Sequence, residues 1–485
     1  MDKKVIQSTK WSGITEILSK LITPVINVFL ARILTPEIFG VVATFSMITT
    51  FAEIFTDAGF SKYLVQHEYS NTADQDLSMQ TAFWSNAVFS CIIWGIVCLF
   101  RYPIASLVGS SGYENEIAVM SFVIPIVSIA SIQLALYRRN FLFQQLLSVR
   151  IVTCIVPLAI TLPLAIILRN CWALIIGTIA KEATNLVMLM IRSEWKPKLR
   201  FSFKKLKEML SFSFIIMADN FMIWLTSYAG VIVTTGILSD HYIGLFKTGV
   251  STIAPYINLV YGITAPVLFS ALSRLQDNDQ ECKKVYYQFQ HYTSLLALPL
   301  GVGIFVFRGF ITDILLGQQW REASMLLGGM GLALAIAMVT AQFNSDYFRA
   351  KGKPLLSFAI QGFYSIILIV LLRITVNVSF EKLCLSRILA TLSYAIISCL
   401  AMQLFMNVPV LNVIKNIFWP GVAAILMGIL GSYFTSMQMG FIWNVIFVII
   451  CILFYIILII LIPSTRKDIL SFPFVKRVLS KHNRV

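Results

Sequence analysis

The run Ile446-Phe447-Val448-Ile449-Ile450-Cys451-Ile452-Leu453-Phe454-Tyr455-Ile456-Ile457-Leu458-Ile459-Ile460-Leu461-Ile462 contains no charged residue and only one hydroxyl. At about 1.5 Å per residue, the apolar stretch 441–462 makes a helix about 30 Å long, the hydrocarbon thickness of a bilayer. A helix apolar on every side has no aqueous face, so lipid is its expected solvent. Outward from this run, comparable stretches recur at 12–34, 38–58, 79–100, 117–137, 151–168 and 171–191. Others follow at 209–230, 241–269, 291–312, 323–345, 354–376, 384–406, 414–435 and, with the run itself, 441–462. Long continuous runs point to helices, because a membrane β-barrel would show short alternating segments of about ten residues. The expectation is an all-α integral membrane protein with about 14 transmembrane helices.

Composition agrees. Of 485 residues, 58% are hydrophobic and 13% charged, with a mean hydropathy of +0.81. A soluble domain is about half apolar and about a quarter charged. The eight cysteines form no Cys-x-x-Cys pair and read as small buried hydrophobes. The four histidines, His67, His241, His291 and His482, are scattered, so no metal site is expected. The first apolar run carries Glu16 and Lys20 and lacks a small-residue cleavage site. It reads as a retained span rather than a cleaved signal. Prolines inside spans (Pro24, Pro125, Pro157, Pro255, Pro266, Pro299) mark expected kinks.

Lysine and arginine outnumber aspartate and glutamate by 38 to 23. With the N-terminus in the cytoplasm and loops assigned alternately, 27 of the 38 fall on the cytoplasmic side. Eight fall outside (Arg32, Arg101, Arg169, Arg308, Arg321, Arg373, Lys382, Arg387), and Lys20, Lys181 and Lys247 lie within spans. That asymmetry is the positive-inside signal of an even helix count with both termini cytoplasmic. It accounts for the positive charge without a nucleic-acid partner. Seven basic residues lie between Arg192 and Glu208, interleaved with Trp195, Leu199, Phe201 and Phe203. This segment reads either as an amphipathic surface helix on anionic headgroups or, the favoured reading, as a linker whose charge fixes orientation.

The linker separates two similar halves. Ile33-Leu34-Thr35-Pro36-Glu37-Ile38-Phe39-Gly40, then Thr44, parallels Ile237-Leu238-Ser239-Asp240-His241-Tyr242-Ile243-Gly244, then Thr248, at a constant offset of 204. Six helices per half keep both halves in one orientation, as parallel repeats about an axis along the membrane normal. The expected organisation is an N-terminal six-helix bundle over 1–191, the linker at 192–208 and a second bundle over 209–406. Two further helices and a basic tail occupy 407–485. Two pseudo-symmetric bundles enclosing a central cavity form a transporter's architecture.

Ionised groups deep in a span cost several kcal/mol each unless they face water or a partner, roughly by the bilayer scales. Lys181 and Asp219 lie about ten residues inside their spans, with Glu182 and Asn220 beside them. Lys20, Lys181, Asp219, Asn220 and Lys247 are the expected lining of a hydrated cavity that meets a polar or anionic substrate. Glu16, Glu53, Asp57 and Glu182 are candidates for structural pairing or ion coupling. The competing reading joins Glu16 to Lys20 and Lys181 to Asp219 as salt bridges that hold helices together. Loops are too short for a catalytic outer domain, and no P-loop is present. No catalytic residue or cofactor is expected; coupling to a proton or sodium gradient is left open.

Further motifs lie along about three-quarters of the chain: Leu30-Ala31-Arg32 before the first repeat motif and Asp57-Ala58-Gly59-Phe60 after it. Leu272-Ser273-Arg274-Leu275-Gln276-Asp277, Leu316-Gly317 with Trp320, and Ala350-Lys351-Gly352 follow. In order and spacing the chain resembles polysaccharide or O-antigen flippases of the Wzx type. These belong to the multidrug/oligosaccharidyl-lipid/polysaccharide exporter superfamily, and the resemblance is to its colanic-acid and teichuronic-acid exporter branch. It departs from the pattern at Ala229-Gly230, where similar proteins carry an acidic residue, and at Ser270, where they carry proline. The resemblance implies a bacterial inner-membrane protein. It implies passage of undecaprenyl-pyrophosphate-linked oligosaccharide to the outer leaflet, alongside polymerase or glycosyltransferase machinery. A cation-coupled multidrug or metabolite exporter of the same superfamily is the main rival. A membrane-embedded glycan polymerase or transferase is the second.

Overall fold

The computed structural model describes residues 25–462 apart from 58, 68, 70, 141 and 194. Glu16 and Lys20 lie outside the described residues, and so do the side chains of Asp57 and Asp219. Among the described residues the regular structure is helical throughout, and twelve helices are long and apolar enough to cross a bilayer. This is a multi-pass, all-helical membrane protein. Two of the fourteen expected spans are not among the twelve. More than half of 12–34 lies outside the described residues, where 25–33 is helical. The span 209–230 falls in the helix Phe203–Thr234, whose part apolar enough for a span is the shorter Asn220–Thr234.

The chain divides into two packed units, Met1–Thr248 and Gly249–Val485, and one helix, Asp240–Arg274, carries the division. In the first unit the helices that matter below are α1 (Pro36–Asp57), α2 (Phe60–Gln66), α3 (Thr72–Leu99), α4 (Val123–Arg139), α5 (Cys171–Arg192), α6 (Phe203–Thr234) and the start of α7 (Asp240–Arg274). Their shared core joins Val41 and Phe45 of α1 to Val97, Ile117, Val123, Ile175, Val231 and Ile243. Helix ends are closed locally. Asn71, Asn170 and Ser202 each accept a backbone N–H at the start of α3, α5 and α6, satisfying donors that a helix leaves unbonded. At the other end of α2, the Arg139 guanidinium donates to the carbonyls of Leu64, Val65 and His67 and lies 4.6 Å from the Tyr69 ring. A cation over the last carbonyls complements the helix dipole. Burial pushes the Tyr69 hydroxyl up to about 12, against the opposing pull of Arg139.

The second unit uses α8 (Asp279–Val306), α9 (Ser324–Ala337), α10 (Phe343–Ala350), α11 (Pro354–Thr375), α12 (Phe380–Met406), α13 (Val410–Ser436) and α14 (Phe441–Leu461). Close approach here depends on small residues, since lipid offers no hydrophobic drive for helices to associate. A Cβ at Gly428 would lie 2.7 Å from Val302, and one at Gly301 would lie 2.5 Å from Ala335. These contacts let α8 pack against α13 and α9 at short range. Only one row of α14, Phe447, Cys451, Tyr455 and Ile459, is buried. Its other sides are left to lipid.

Two helices contain a π turn. Pro157–Thr161 begins on the proline whose missing N–H releases the ladder, and Gly177 of α5 packs directly on Thr161. The second, Met338–Gln342, joins α9 to α10 without a proline and carries the helix on to Ala350. Pro299 is accommodated inside α8. The basic segment is not an amphipathic helix along its length. Its described residues between Ser193 and Ser202 are non-helical, and α6 begins at Phe203.

Candidate functional site

Polar stripes on neighbouring helices of the first unit form the site. On α5, Thr178, Lys181, Glu182 and Asn185 occur at i, i+3, i+4 and i+7, which is one face of a helix. All four are partly exposed. Lys181 lies about 15 Å along a helix about 33 Å long, so the stripe straddles its middle. The Lys181 Nζ donates to Glu182 Oε1 at 2.9 Å, with side chains 42% and 19% exposed. The cation is therefore paired with its sequence neighbour; the alternative bridge to Asp219 involves a side chain outside the described residues.

On α1, Ser46, Thr50 and Glu53 recur at the same spacing, and the Thr50 hydroxyl donates to the Ser46 carbonyl at 2.6 Å. On α6, Asn220, Trp224, Ser227 and Tyr228 share a face. Helix α1 packs against both α5 and α6, and the Trp224 indole N–H donates to the Met47 carbonyl at 3.1 Å. Phe221 stacks on that indole with centroids 5.9 Å apart, and Phe51 tilts against it at 4.7 Å. Lys247 of α7 joins the wall there. Its Nζ donates to the Ser227 carbonyl at 3.1 Å and sits 3.8 Å from the Tyr228 ring centre. The ammonium is held by a carbonyl and an aromatic face.

The repeat motifs meet at the start of α1 and α7. The two helices begin at Pro36 and Asp240, 204 residues apart, and their first turns lie against each other. A Cβ on Gly40 would lie 2.0 Å from the Asp240 carbonyl oxygen, and one on Gly244 would lie 1.8 Å from that of Pro36. The contact is thus reciprocal between equivalent positions. Glu37 Oε1 and His241 Nδ1, also equivalent, are 2.5 Å apart. Beside them Glu37, Tyr113, Glu116, Arg169 and Trp172 line a cavity of about 300 Å³.

Several polar groups were invisible to span-by-span reading. Asp346, 6% exposed, accepts from the Tyr261 hydroxyl at 2.8 Å and pairs with Arg349 at 3.4 Å. The expected span stopped at 345, and the π turn that prolongs the helix has no sequence signal. Asn344 next to it accepts from Tyr286 at 2.6 Å and donates to Ser398 at 3.0 Å. Arg387, counted on the outer side at the start of the span 384–406, lies seven residues inside α12 and is 8% exposed. Its Nε and Nη1 make no hydrogen bond among the described residues. Among those residues there is also no cluster of His, Cys, Asp and Glu fit to hold a metal.

A family model described as polysaccharide biosynthesis protein matches residues 29–325. A Klebsiella pneumoniae protein named as an uncharacterized membrane protein in the cps region is 22% identical over 360 residues, 73% of each chain. The succinoglycan biosynthesis transport protein ExoT of Rhizobium meliloti (strain 1021) is 23% identical over 72% of this chain and 70% of its own. Among solved structures, the lipid II flippase MurJ in an inward closed conformation superposes with a TM-score of 0.73 at 18% identity, covering 94% of this chain and 99% of that one.

Proposed function

Because the chain belongs to the polysaccharide biosynthesis protein family, we propose that it translocates a lipid-linked oligosaccharide, an undecaprenyl-pyrophosphate glycan, across the bacterial inner membrane. The observation that carries this reading is the polar stripe at the middle of α5, continued by the hydroxyl, carboxylate and aromatic faces of α1 and α6. A glycan loses its hydrogen bonds to water in hydrocarbon, at a cost of roughly 2–7 kcal/mol for each unpaired polar group. A wall of Thr, Asn, Glu and Lys replaces those bonds, and aromatic faces suit the apolar sides of sugar rings. Lys181 and Lys247, with Lys20 from the N-terminal run, supply cations for the pyrophosphate.

In this reading the passage opens to either side in turn, with the prenyl tail left in lipid and both termini in the cytoplasm as the charge bias directs. A proton or sodium gradient is the proposed energy source, with Glu53 and Glu182 as carriers among the described residues. Polymerase and glycosyltransferase machinery are the proposed neighbours on the route to the cell surface. The protein acts as a transporter and not as an enzyme. A drug exporter would favour an apolar binding face, which the stripe around Lys181 and Glu182 argues against.

The test is surface polysaccharide output in cells that carry single substitutions at equal membrane levels. Lys181→Ala and Asp219→Ala are each expected to lower output at least fivefold, and Lys181→Arg to keep most of it. Wild-type output from Lys181→Ala would remove that side chain from the passage.

A further inference from the structure

The non-helical segment between α5 and α6 is folded back on α3. Trp195 donates its indole N–H to Asp76 at 2.9 Å, and Gln80 brackets the segment by donating to the Lys196 carbonyl and accepting from the Lys198 N–H. Trp84 donates to the Lys198 carbonyl at 2.8 Å. The Arg200 N–H then bonds the Lys198 carbonyl at 2.8 Å, which reverses the chain about Leu199. On the return, Ser202 N–H reaches Thr81 at 3.2 Å, and Lys205 pairs with Asp74 at 2.6 Å. The Asp74 carboxylate holds the Lys205 ammonium above its ordinary range. The tip therefore sits about 18 Å along α3 from Thr72.

That depth is informative. The first ten residues of α3 include Asp74, Asp76 and Gln80, whereas Ala82 to Leu99 carries no charge. The tip thus lies where the helix passes from a polar to an apolar surround, level with Trp84, a residue type that favours the headgroup boundary. Leu199 is 88% and Phe203 81% exposed, with Phe201 also exposed between them. Lys198, Arg200 and Lys204 interleave with these and are exposed too. The exposed surface of α14, by contrast, is apolar and carries no cation.

We infer that this turn is a lipid wedge. Leu199, Phe201 and Phe203 enter the acyl boundary, and Lys198, Arg200 and Lys204 bind the phosphates of anionic phospholipids in the leaflet it faces. The hydrogen bonds to Asp76, Gln80, Thr81 and Trp84 hold the turn in place, so little ordering is left for binding to impose. Each basic residue at an anionic surface contributes about fivefold in affinity, so losing three lowers it by roughly a hundredfold at low salt.

Native mass spectrometry of the full chain in detergent, titrated separately with phosphatidylglycerol and phosphatidylcholine, tests this. Wild type is expected to retain phosphatidylglycerol at least fivefold better. The triple variant Lys198→Gln, Arg200→Gln, Lys204→Gln is expected to lose that preference, and Lys198→Arg with Lys204→Arg to keep it. An undiminished preference in the triple variant, or equal retention of phosphatidylcholine by wild type, overturns the assignment. Displacement of phosphatidylglycerol by an equal concentration of a polyprenyl pyrophosphate would reassign the site to the transported lipid and overturn the phospholipid reading. Should the triple variant not fold, Leu199→Cys carrying an environment-sensitive dye keeps the question open to refutation. Its emission is expected to shift to the blue in phosphatidylglycerol vesicles relative to phosphatidylcholine, beyond any shift of the dye-treated parent chain, and no such shift overturns the wedge.

Discussion

Gly244→Ala is expected to lower the thermal unfolding midpoint of the purified protein by several degrees and to cut surface polysaccharide at least tenfold. The added methyl would lie 1.8 Å from the Pro36 carbonyl oxygen and 3.0 Å from the Gly40 nitrogen. Both atoms are backbone, so no side chain can swing aside. Relief requires the first turns of α1 and α7 to separate by about 1.5 Å, and overpacking of that kind costs about 1–3 kcal/mol. The same shift pulls Glu37 from His241, now 2.5 Å apart, and disturbs the core that joins Val41 to Ile243. Gly40→Ala is expected to act alike, because its methyl meets the Asp240 carbonyl at 2.0 Å. The control is Gly95→Ala near the C-terminal end of α3, where nothing lies within 4 Å. That change removes a helix-interior glycine and is expected to be neutral or to stabilise by up to about 1 kcal/mol. Equal midpoints for Gly244→Ala and Gly95→Ala would show that the α1–α7 contact is not tight.

Asn344→Leu is expected to destabilise the second unit, and Tyr286→Phe in the same chain to restore much of the loss. Asn344, Tyr286 and Ser398 are all fully buried. The leucine leaves the Tyr286 hydroxyl, now bonded at 2.6 Å, with no acceptor inside a helix bundle in lipid. An unsatisfied buried donor costs about 1–3 kcal/mol, whereas removing both partners together is close to neutral. Tyr286→Phe alone leaves Asn344 bonded to Ser398 and Thr340 and is expected to cost less than Asn344→Leu. The readout is the unfolding midpoint of the three variants in one detergent. A double variant as unstable as the sum of the singles would show that the hydrogen bond is not the cause.

Particular residues show where sequence reading succeeds. The charge-free run of α14 needs only length and composition to be read, because a helix without a polar face has one compatible solvent. Lys181 and Glu182 are legible because a charge in mid-span is costly unless water or a partner meets it. The paired motifs around Gly40 and Gly244 were legible through their offset alone. Their meeting was not, since similarity between two stretches says nothing about their distance. Asp346 and Arg387 escaped for another reason. Each lay near the assigned limit of a span; a π turn carries the helix on past Asp346, and an earlier helix start sets Arg387 deeper.

The linker is the sharpest instance. Seven basic residues among aromatics are compatible with a surface helix or with a solvated connection, and local propensity favours neither. The choice was made by Asp76, Gln80, Thr81 and Trp84, more than 110 residues earlier in the chain. By itself the sequence determined the solvent, the helical class and the polar faces, because each depends on composition and period along one segment. Which faces meet, which charge finds a partner and how the linker turns were decided only by the tertiary structure. Those outcomes depend on hydrogen bonds and close packing between segments far apart in the chain.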